Sequence, residues 1–190
     1  MLFRRCRHDA RRYGWVVCLL LITACHKTLD NSVTRFFVVR HAERYPGFEG
    51  SLTWYGRQRA GDLMRLLEDS SIRRIYVSPF ARTLQTADSL RLLQHIDTVY
   101  YTADTSAKAL LSAIEAHADY GKNSLIVGDA EMIPAILQKL GVHYDASDIP
   151  DSVYNLLFEV VNDHGKVSLH TLHYGRPSMP PDTSSAPATK

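Results

Sequence analysis

Short apolar runs alternate with stretches of helical periodicity along most of the chain. Four runs rich in β-forming residues predict buried strands, at residues 35–40, 72–77, 96–101 and 124–127. Four stretches with apolar residues at helical spacing predict helices, at residues 53–69, from 78 onward, 105–117 and 133–140. Strands that alternate with helices predict a single three-layer α/β/α domain with a mainly parallel central sheet.

Several residues indicate where these elements begin and turn. Thr53 is the predicted N-cap of the first helix. Ser78 is the predicted cap of the second helix, with Pro79 at its first helical position and Arg82 in its first turn. Residues 155–161 and 166–173 predict an edge hairpin that turns at residues 163–165.

The N-terminal segment has the composition of an export signal. Residues 1–13 contain five arginines, and the apolar run 15–24 is too short to span a bilayer comfortably. Leu21-Ile22-Thr23-Ala24-Cys25 resembles the lipobox of bacterial lipoproteins, in which the cysteine is lipidated and becomes the first mature residue. We therefore predict a signal peptide at 1–24, a tether at 25–33, a domain at 34–175 and a disordered tail at 176–190. An uncleaved anchor or a small core helix is the alternative for the first segment.

Cleavage before Cys25 changes the charge of the protein. Five of the 22 basic and one of the 20 acidic residues precede Cys25, which leaves 17 and 19. The mature domain is therefore slightly acidic, and nothing favours nucleic acid as a partner. No cysteine follows Cys25, so the mature domain has no intramolecular disulfide, thiolate zinc site or thiol nucleophile. The histidines lack metal-ligand spacing, and no cofactor is implied.

The most informative chemistry follows the first predicted strand. Arg40 and His41 lie at its carboxyl end, where open α/β sheets bind their ligands. A neutral imidazole can attack phosphorus, and an adjacent guanidinium can hold two phosphoryl oxygens. Arg82, in the first turn of a later helix, adds a second cation and the helix dipole.

Three ordered motifs resemble those of the histidine phosphatase superfamily, which has the phosphoglycerate-mutase-like fold. They are Arg40-His41-Ala42-Glu43, Leu52-Thr53-x-x-Gly56-x-x-x-Ala60 and the cluster that runs from Ser78-Pro79-Phe80-Ala81-Arg82 to Thr86-Ala87. The second of these is similar to the family's Leu-Thr-x-x-Gly-x-x-Gln-Ala segment. The resemblance covers residues 35–174. It implies that His41 is the nucleophile, that Arg40 and Arg82 hold the phosphate, and that Glu43 orients its neighbours.

One position departs from the family's pattern. After the fourth strand the family carries Gly-His, whereas this chain has Gly128-Asp129, so a carboxylic acid replaces the second catalytic histidine. An ionised Asp129 would repel phosphoryl oxygens, whereas a protonated Asp129 could donate a hydrogen bond. Two hypotheses follow: a phosphohydrolase of reduced activity, or a catalytically degenerate, lipid-anchored module that binds a phosphate, another anion or a protein.

The remaining candidates concern the substrate. Arg44 lines the mouth of the pocket or is a solvated charge, and Asp104 and Glu131 are candidates for the acid that protonates the leaving group. The resemblance implies a small phosphomonoester or a phosphoprotein as the substrate, without a metal. Lipidation at Cys25 would place the protein on the extracytoplasmic face of a bacterial membrane.

Overall fold

The protein's structure is a computed structural model that describes residues 33–47, 50–144 and 149–178. The predictions for the signal peptide, for Cys25 and for most of the tether and the tail lie outside these residues. Within the described part of the chain, no helix is long and apolar enough to cross a bilayer.

Six strands form one mixed sheet in the order β3-β2-β4-β1-β5-β6. Their bounds are β1 Thr34–Arg40, β2 Ile72–Val77, β3 Thr98–Tyr100, β4 Asn123–Gly128, β5 Leu156–Asp163 and β6 Lys166–His173. The first four strands are parallel, and the β5–β6 hairpin adds antiparallel to β1. Because β4 lies between β1 and β2, the carboxyl ends of these three strands meet at one edge of the sheet.

Helices cover both faces of the sheet, which confirms the predicted α/β class. Their bounds are α1 Trp54–Leu67, α2 Ala81–Gln94, α3 Lys108–Ala116 and α4 Ile133–Lys139. Phe37 and Val39 of β1 pack in one apolar cluster with residues of α1 and α2. Phe36 and Val38 face the other way, into a cluster with residues of α3 and α4. Each face of β1 is therefore buried, as its continuous apolar run predicts.

Two local predictions are confirmed in detail. The hydroxyl of Thr53 accepts a hydrogen bond from the backbone of Gly56 at 3.1 Å, so Thr53 caps α1. The β5–β6 turn places His164 and Gly165 at φ values of 53° and 86°. Two consecutive positive φ values are characteristic of the type I′ turn that tight hairpins favour.

The predicted starts of α2 and α3 were wrong. The chain from Ser78 to Phe80 is not helical, and α2 begins at Ala81 with an extended Phe80 at its N-cap. Ala107 has a φ of 53°, so α3 begins only at Lys108 rather than at residue 105. A short 3-10 helix, Ala130–Met132, also precedes α4 and was not predicted. Arg82 nevertheless lies in the first turn of α2, as expected.

Candidate active site

Four predicted site residues meet at the carboxyl edge of the sheet. Arg40 ends β1 and His41 follows it, Asp129 follows β4, and Arg82 projects from the first turn of α2. The backbone N–H of His41 donates to the carbonyl of Gly128 at 2.9 Å, which holds the ends of β1 and β4 together. All four side chains are buried, with exposed fractions between 3% and 9%. The fold therefore gathers two cations, one carboxylate and one imidazole in a site largely shielded from water.

The imidazole of His41 is oriented by its own loop. Its Nδ1 lies 2.8 Å from the carbonyl oxygen of Ala42. A carbonyl can only accept, so Nδ1 carries the proton and Nε2 keeps its lone pair. Burial, together with the charges of Arg40 and Arg82, lowers the pKa of His41 to about 4 against the opposing influence of the Ala42 carbonyl and Asp129. At neutral pH, His41 is thus an uncharged imidazole with an unprotonated Nε2.

Asp129 occupies the space between the nucleophile and the helix arginine. Its Oδ1 accepts a hydrogen bond from Arg82 Nε at 2.6 Å and lies 3.6 Å from His41 Nε2. Two like unit charges 4 Å apart repel by about 4 kcal/mol at an effective dielectric constant of 20. An ionised Asp129 therefore opposes the entry of an anionic group at the position from which Nε2 would attack it.

A segment before β5 covers Arg40 and was missed by the sequence analysis. Nη1 of Arg40 donates to the carbonyls of Pro150, Asp151 and Val153 at 3.1, 3.0 and 3.3 Å. The guanidinium also lies 4.2 Å from the centre of the Tyr154 ring, at cation–π distance. The Nε atom of Arg40 is buried and has no hydrogen-bond partner among the described residues. Arg40 thus retains one donor for a further acceptor.

The α2 helix also holds the loop that follows the nucleophile. The hydroxyl of Thr86 accepts from the N–H of Ala42 at 2.9 Å and donates to the carbonyl of Arg82 at 2.7 Å. The side chain of Gln85 accepts from the N–H of Leu52 at 2.8 Å. The third sequence motif, which contains Arg82, therefore does more than supply that arginine, because it ties the His41 loop and the start of α1 to α2.

Glu43 is paired with a residue that the sequence analysis did not single out. Nε and Nη2 of Arg59 donate to the Glu43 carboxylate at 2.6 to 3.0 Å. Nη1 of Arg59 also donates to the carbonyls of Tyr174 and Arg176, at 3.2 and 3.0 Å. This arrangement makes Glu43 a positioning residue that fastens the nucleophile loop to α1 and to the chain after β6. The signal in the sequence is a departure: Arg59 stands where the family motif has glutamine.

Two of the three substrate-binding candidates, Arg44 and Asp104, make hydrogen bonds outside the site. The third, Glu131, is exposed. Arg44 donates to the carbonyls of Tyr45 and Gly47, at 3.1 and 2.8 Å, and so stabilises its own loop. The Asp104 carboxylate accepts from Ser106 and from backbone N–H groups at the start of α3, and these hydrogen bonds lower its pKa. A carboxyl held ionised in this way is a poor proton donor. Glu131 is exposed, two residues beyond Asp129.

The described residues contain no cluster of three or more histidine, cysteine or acidic side chains that could hold a metal ion.

Comparison with known proteins identifies this arrangement. Residues 36–104, which include His41 and Arg82, match the sequence model of the histidine phosphatase superfamily, branch 1. No curated protein matches the chain. The match covers 69 of the 190 residues, and over this segment the chain is similar to the histidine phosphatase superfamily.

Solved structures share the fold at low sequence identity. The proposed phosphohistidine phosphatase SixA from Agrobacterium tumefaciens is 24% identical, with a TM-score of 0.58 over 74% of this chain and 97% of that one. The protein histidine phosphatase SixA in complex with tungstate is 17% identical, with a TM-score of 0.57 over 73% and 96%. A proposed α-ribazole-5′-P phosphatase from Escherichia coli K-12 is 15% identical, with a TM-score of 0.57 over 74% and 96%. At these identities the likeness establishes the fold.

Proposed function

We propose that the protein is a metal-independent phosphohydrolase of reduced activity, which acts through a phosphohistidine on His41. The observation that carries the proposal is the state of His41. It is buried beside two arginines, its Nδ1 proton is held by Ala42, and its Nε2 is unprotonated at neutral pH. A histidine prepared in this way is a nucleophile rather than a structural cation.

The reaction that this geometry supports has two displacements at phosphorus. Nε2 of His41 forms a bond to phosphorus while the bond to the leaving oxygen breaks, and that oxygen takes up a proton. Water then attacks the phosphohistidine and gives up one proton, which balances the proton taken up in the first step. Inorganic phosphate is released and the imidazole is restored. Arg40 and Arg82 stabilise the negative charge on the transferring group in both steps.

Asp129 is the reason to expect reduced turnover. Removing one donor to the transferring group typically costs about 3 kcal/mol of transition-state stabilisation, and here a donor is replaced by an acceptor. The same carboxylate already accepts the Nε proton of Arg82. Arg82 must therefore share its charge between Asp129 and the substrate.

The substrate class is a small phosphomonoester or a phosphoprotein. The family supports a phosphoryl substrate, and the structural neighbours are named as phosphatases of both kinds. We also propose that Cys25 carries lipid and anchors the domain to the extracytoplasmic face of a bacterial membrane, on the basis of the lipobox-like sequence.

The test is to trap the intermediate on His41. Purified protein incubated with a labelled phosphomonoester and quenched in alkali should carry acid-labile phosphate, and His41→Ala should carry none. His170→Ala is the matched control, because His170 is exposed on β6. Full phosphatase activity in His41→Ala would place the active site elsewhere.

A second candidate function is an anion-binding module without turnover. The ion pair between Asp129 and Arg82 favours it, because a carboxylate beside the nucleophile opposes phosphoryl transfer, while Arg40 and Arg82 still offer two cations to an anion. Under this hypothesis, phosphate-like anions bind with an affinity that depends on Arg40 and Arg82, and no phosphoenzyme forms in the wild-type protein.

A further inference from the structure

We expect the carboxylate of Asp129 to remain in place when a ligand enters. It is buried, its Oδ1 is 2.6 Å from Arg82 Nε, and separating a buried carboxylate from its arginine is strongly unfavourable. A phosphoryl group must therefore bind beside this carboxylate rather than replace it.

The position of the ligand is set by the nucleophile. Atoms about to react lie about 3 to 3.5 Å apart, so phosphorus must approach His41 Nε2 to that distance. Asp129 Oδ1 is itself 3.6 Å from the same nitrogen. Arg82 Nε, which must also reach the transferring group, lies 2.6 Å from that same oxygen. A phosphoryl group held between these two nitrogens therefore brings at least one of its oxygens within hydrogen-bond distance of the carboxylate.

Two anionic oxygens in such contact hold one proton between them, as paired carboxylates do. The other described groups around the site do not supply it. Arg40 and Arg82 remain charged, and His41 Nδ1–H is bound to Ala42. From the end of β3, the hydroxyl of Tyr101 donates to the carbonyl of Val127 at 3.1 Å.

Two further carboxylates lie on neighbouring segments and are held apart from this contact. The Asp151 carboxylate accepts from Arg40 Nη2 at 3.3 Å, and its side chain is 99% exposed. The Asp104 carboxylate caps the start of α3. The proton must therefore come with the ligand or from solvent.

We propose that the site binds its phosphoryl group in the singly charged, protonated form, with the P–OH proton shared with the Asp129 carboxylate. This inference rests on the proposed function and narrows its substrate class to phosphoryl compounds that carry an ionisable P–OH. Phosphomonoesters have a second pKa of about 6. Binding should therefore weaken by about tenfold for each pH unit above the second pKa of the ligand.

The experiment is calorimetric titration of the purified full-length chain with phenylphosphonate, whose C–P bond is not hydrolysed. The titration is run one pH unit above the second pKa of this ligand, in buffers of different ionisation enthalpy. The dependence of the apparent enthalpy on the buffer gives the number of protons taken up. We expect close to one proton for the wild-type protein and close to zero for Asp129→Asn, whose amide can donate to a doubly charged ligand. Asp151→Asn, which removes a different carboxylate beside Arg40, should still take up one proton.

The possible results separate this inference from the function on which it rests. Binding by wild type without proton uptake, or equal uptake by Asp129→Asn, would overturn the shared proton and leave the phosphohydrolase intact. If neither protein binds phenylphosphonate even at pH 5, the proposed phosphate site is wrong and the inference is overturned with it.

Discussion

The carboxylate of Asp129 lies 2.6 Å from Arg82 Nε and 3.6 Å from His41 Nε2, so a protein anion occupies the place next to the nucleophile. The residues that generate a phosphohistidine are present, and the charge that opposes it is built into the same site. Activity should therefore depend more on position 129 than on any other single residue that lines the site, apart from His41 and the two arginines.

Replacing the anion with a cation should raise activity. We predict that Asp129→His increases kcat/KM toward a phosphomonoester at pH 7 by at least about tenfold, equivalent to roughly 1.4 kcal/mol. An imidazolium would release Arg82 and add a charge-assisted hydrogen bond to the transferring group. Asp129→Asn, which removes the repulsion without adding charge, should give a smaller gain. If Asp129→His is no faster than wild type from pH 4 to 8, the anion-binding module becomes the better hypothesis.

The burial of His41 should make stability depend on pH. Its pKa falls from 6.5 to about 4 on folding, chiefly because burial disfavours the charged ring. The folded state therefore gains stability that is fully present above pH 6.5 and is lost as the pH falls toward 4. The loss between pH 7 and pH 4.5 is about 2.5 kcal/mol for a shift of this size.

Urea denaturation of wild type and His41→Gln across this range measures that loss. Two carboxyl groups, those of Asp104 and Asp119, have pKa values below the ordinary value of 3.8. Their protonation affects stability mainly at lower pH, so they contribute little to the loss between pH 7 and pH 4.5. Glutamine does not titrate, and the variant should therefore lack most of the loss. Parallel curves for the two proteins would show that His41 is not buried as an uncharged ring.

Structure that depends on residues close in sequence could be predicted. Contacts between distant segments could not be predicted. The bounds of β2 follow from its own β-forming residues, and the cap at Thr53 lies three residues from the N–H that it binds. The position of Asp129 was visible because it interrupts a motif. The contact of Arg40 with the carbonyl of Asp151 joins residues 111 positions apart, and no local pattern marks it.

The missed starts of α2 and α3 have a similar cause. Ser78 is a good helix cap by residue type, but its hydroxyl donates to Thr83 Oγ1, which in turn donates to the carbonyls of Ser78 and Phe80. Those bonds stabilise a turn ahead of α2. At α3, the left-handed conformation of Ala107 delays the helix, a choice that an alanine in the sequence does not reveal.

Loss of the Arg59 guanidinium should destabilise the domain. Arg59 is buried and neutralises Glu43, whose side chain is 24% exposed. We predict that Arg59→Gln, which restores the residue of the family motif, lowers the free energy of unfolding by about 2 to 3 kcal/mol, because Glu43 and two carbonyls lose their donor. Adding Glu43→Gln should recover part of this loss in urea denaturation. Additive losses in the double variant would contradict the pairing.

Membrane attachment should depend on one cysteine. We predict that wild type fractionates with membranes and that Cys25→Ser does not, because a lipid anchor of more than one acyl chain is needed for stable attachment. Western blotting of soluble and membrane fractions measures the distribution, with Cys18→Ser as the matched control within the apolar run. Unchanged membrane association of Cys25→Ser would show that the anchor lies elsewhere.

Two glycines of α1 should respond in opposite ways to the same substitution. A Cβ at Gly56 would lie 2.1 Å from the carbonyl oxygen of Glu43, whereas a Cβ at Gly61 would meet only the Arg65 guanidinium, at 3.6 Å. Alanine is the better helix former by about 1 kcal/mol, so Gly61→Ala should raise the free energy of unfolding by up to that amount. Gly56→Ala should instead lower the free energy of unfolding by about 2 kcal/mol or more, since backbone must move to make room.

The same substitution should also affect the chemistry. The backbone displaced in Gly56→Ala carries Glu43, two residues after the nucleophile, so phosphoenzyme formation should fall in Gly56→Ala and remain unchanged in Gly61→Ala. Urea denaturation and phosphate trapping on both variants measure the two effects, and equal stability of the two proteins would show that α1 does not pack against the nucleophile loop.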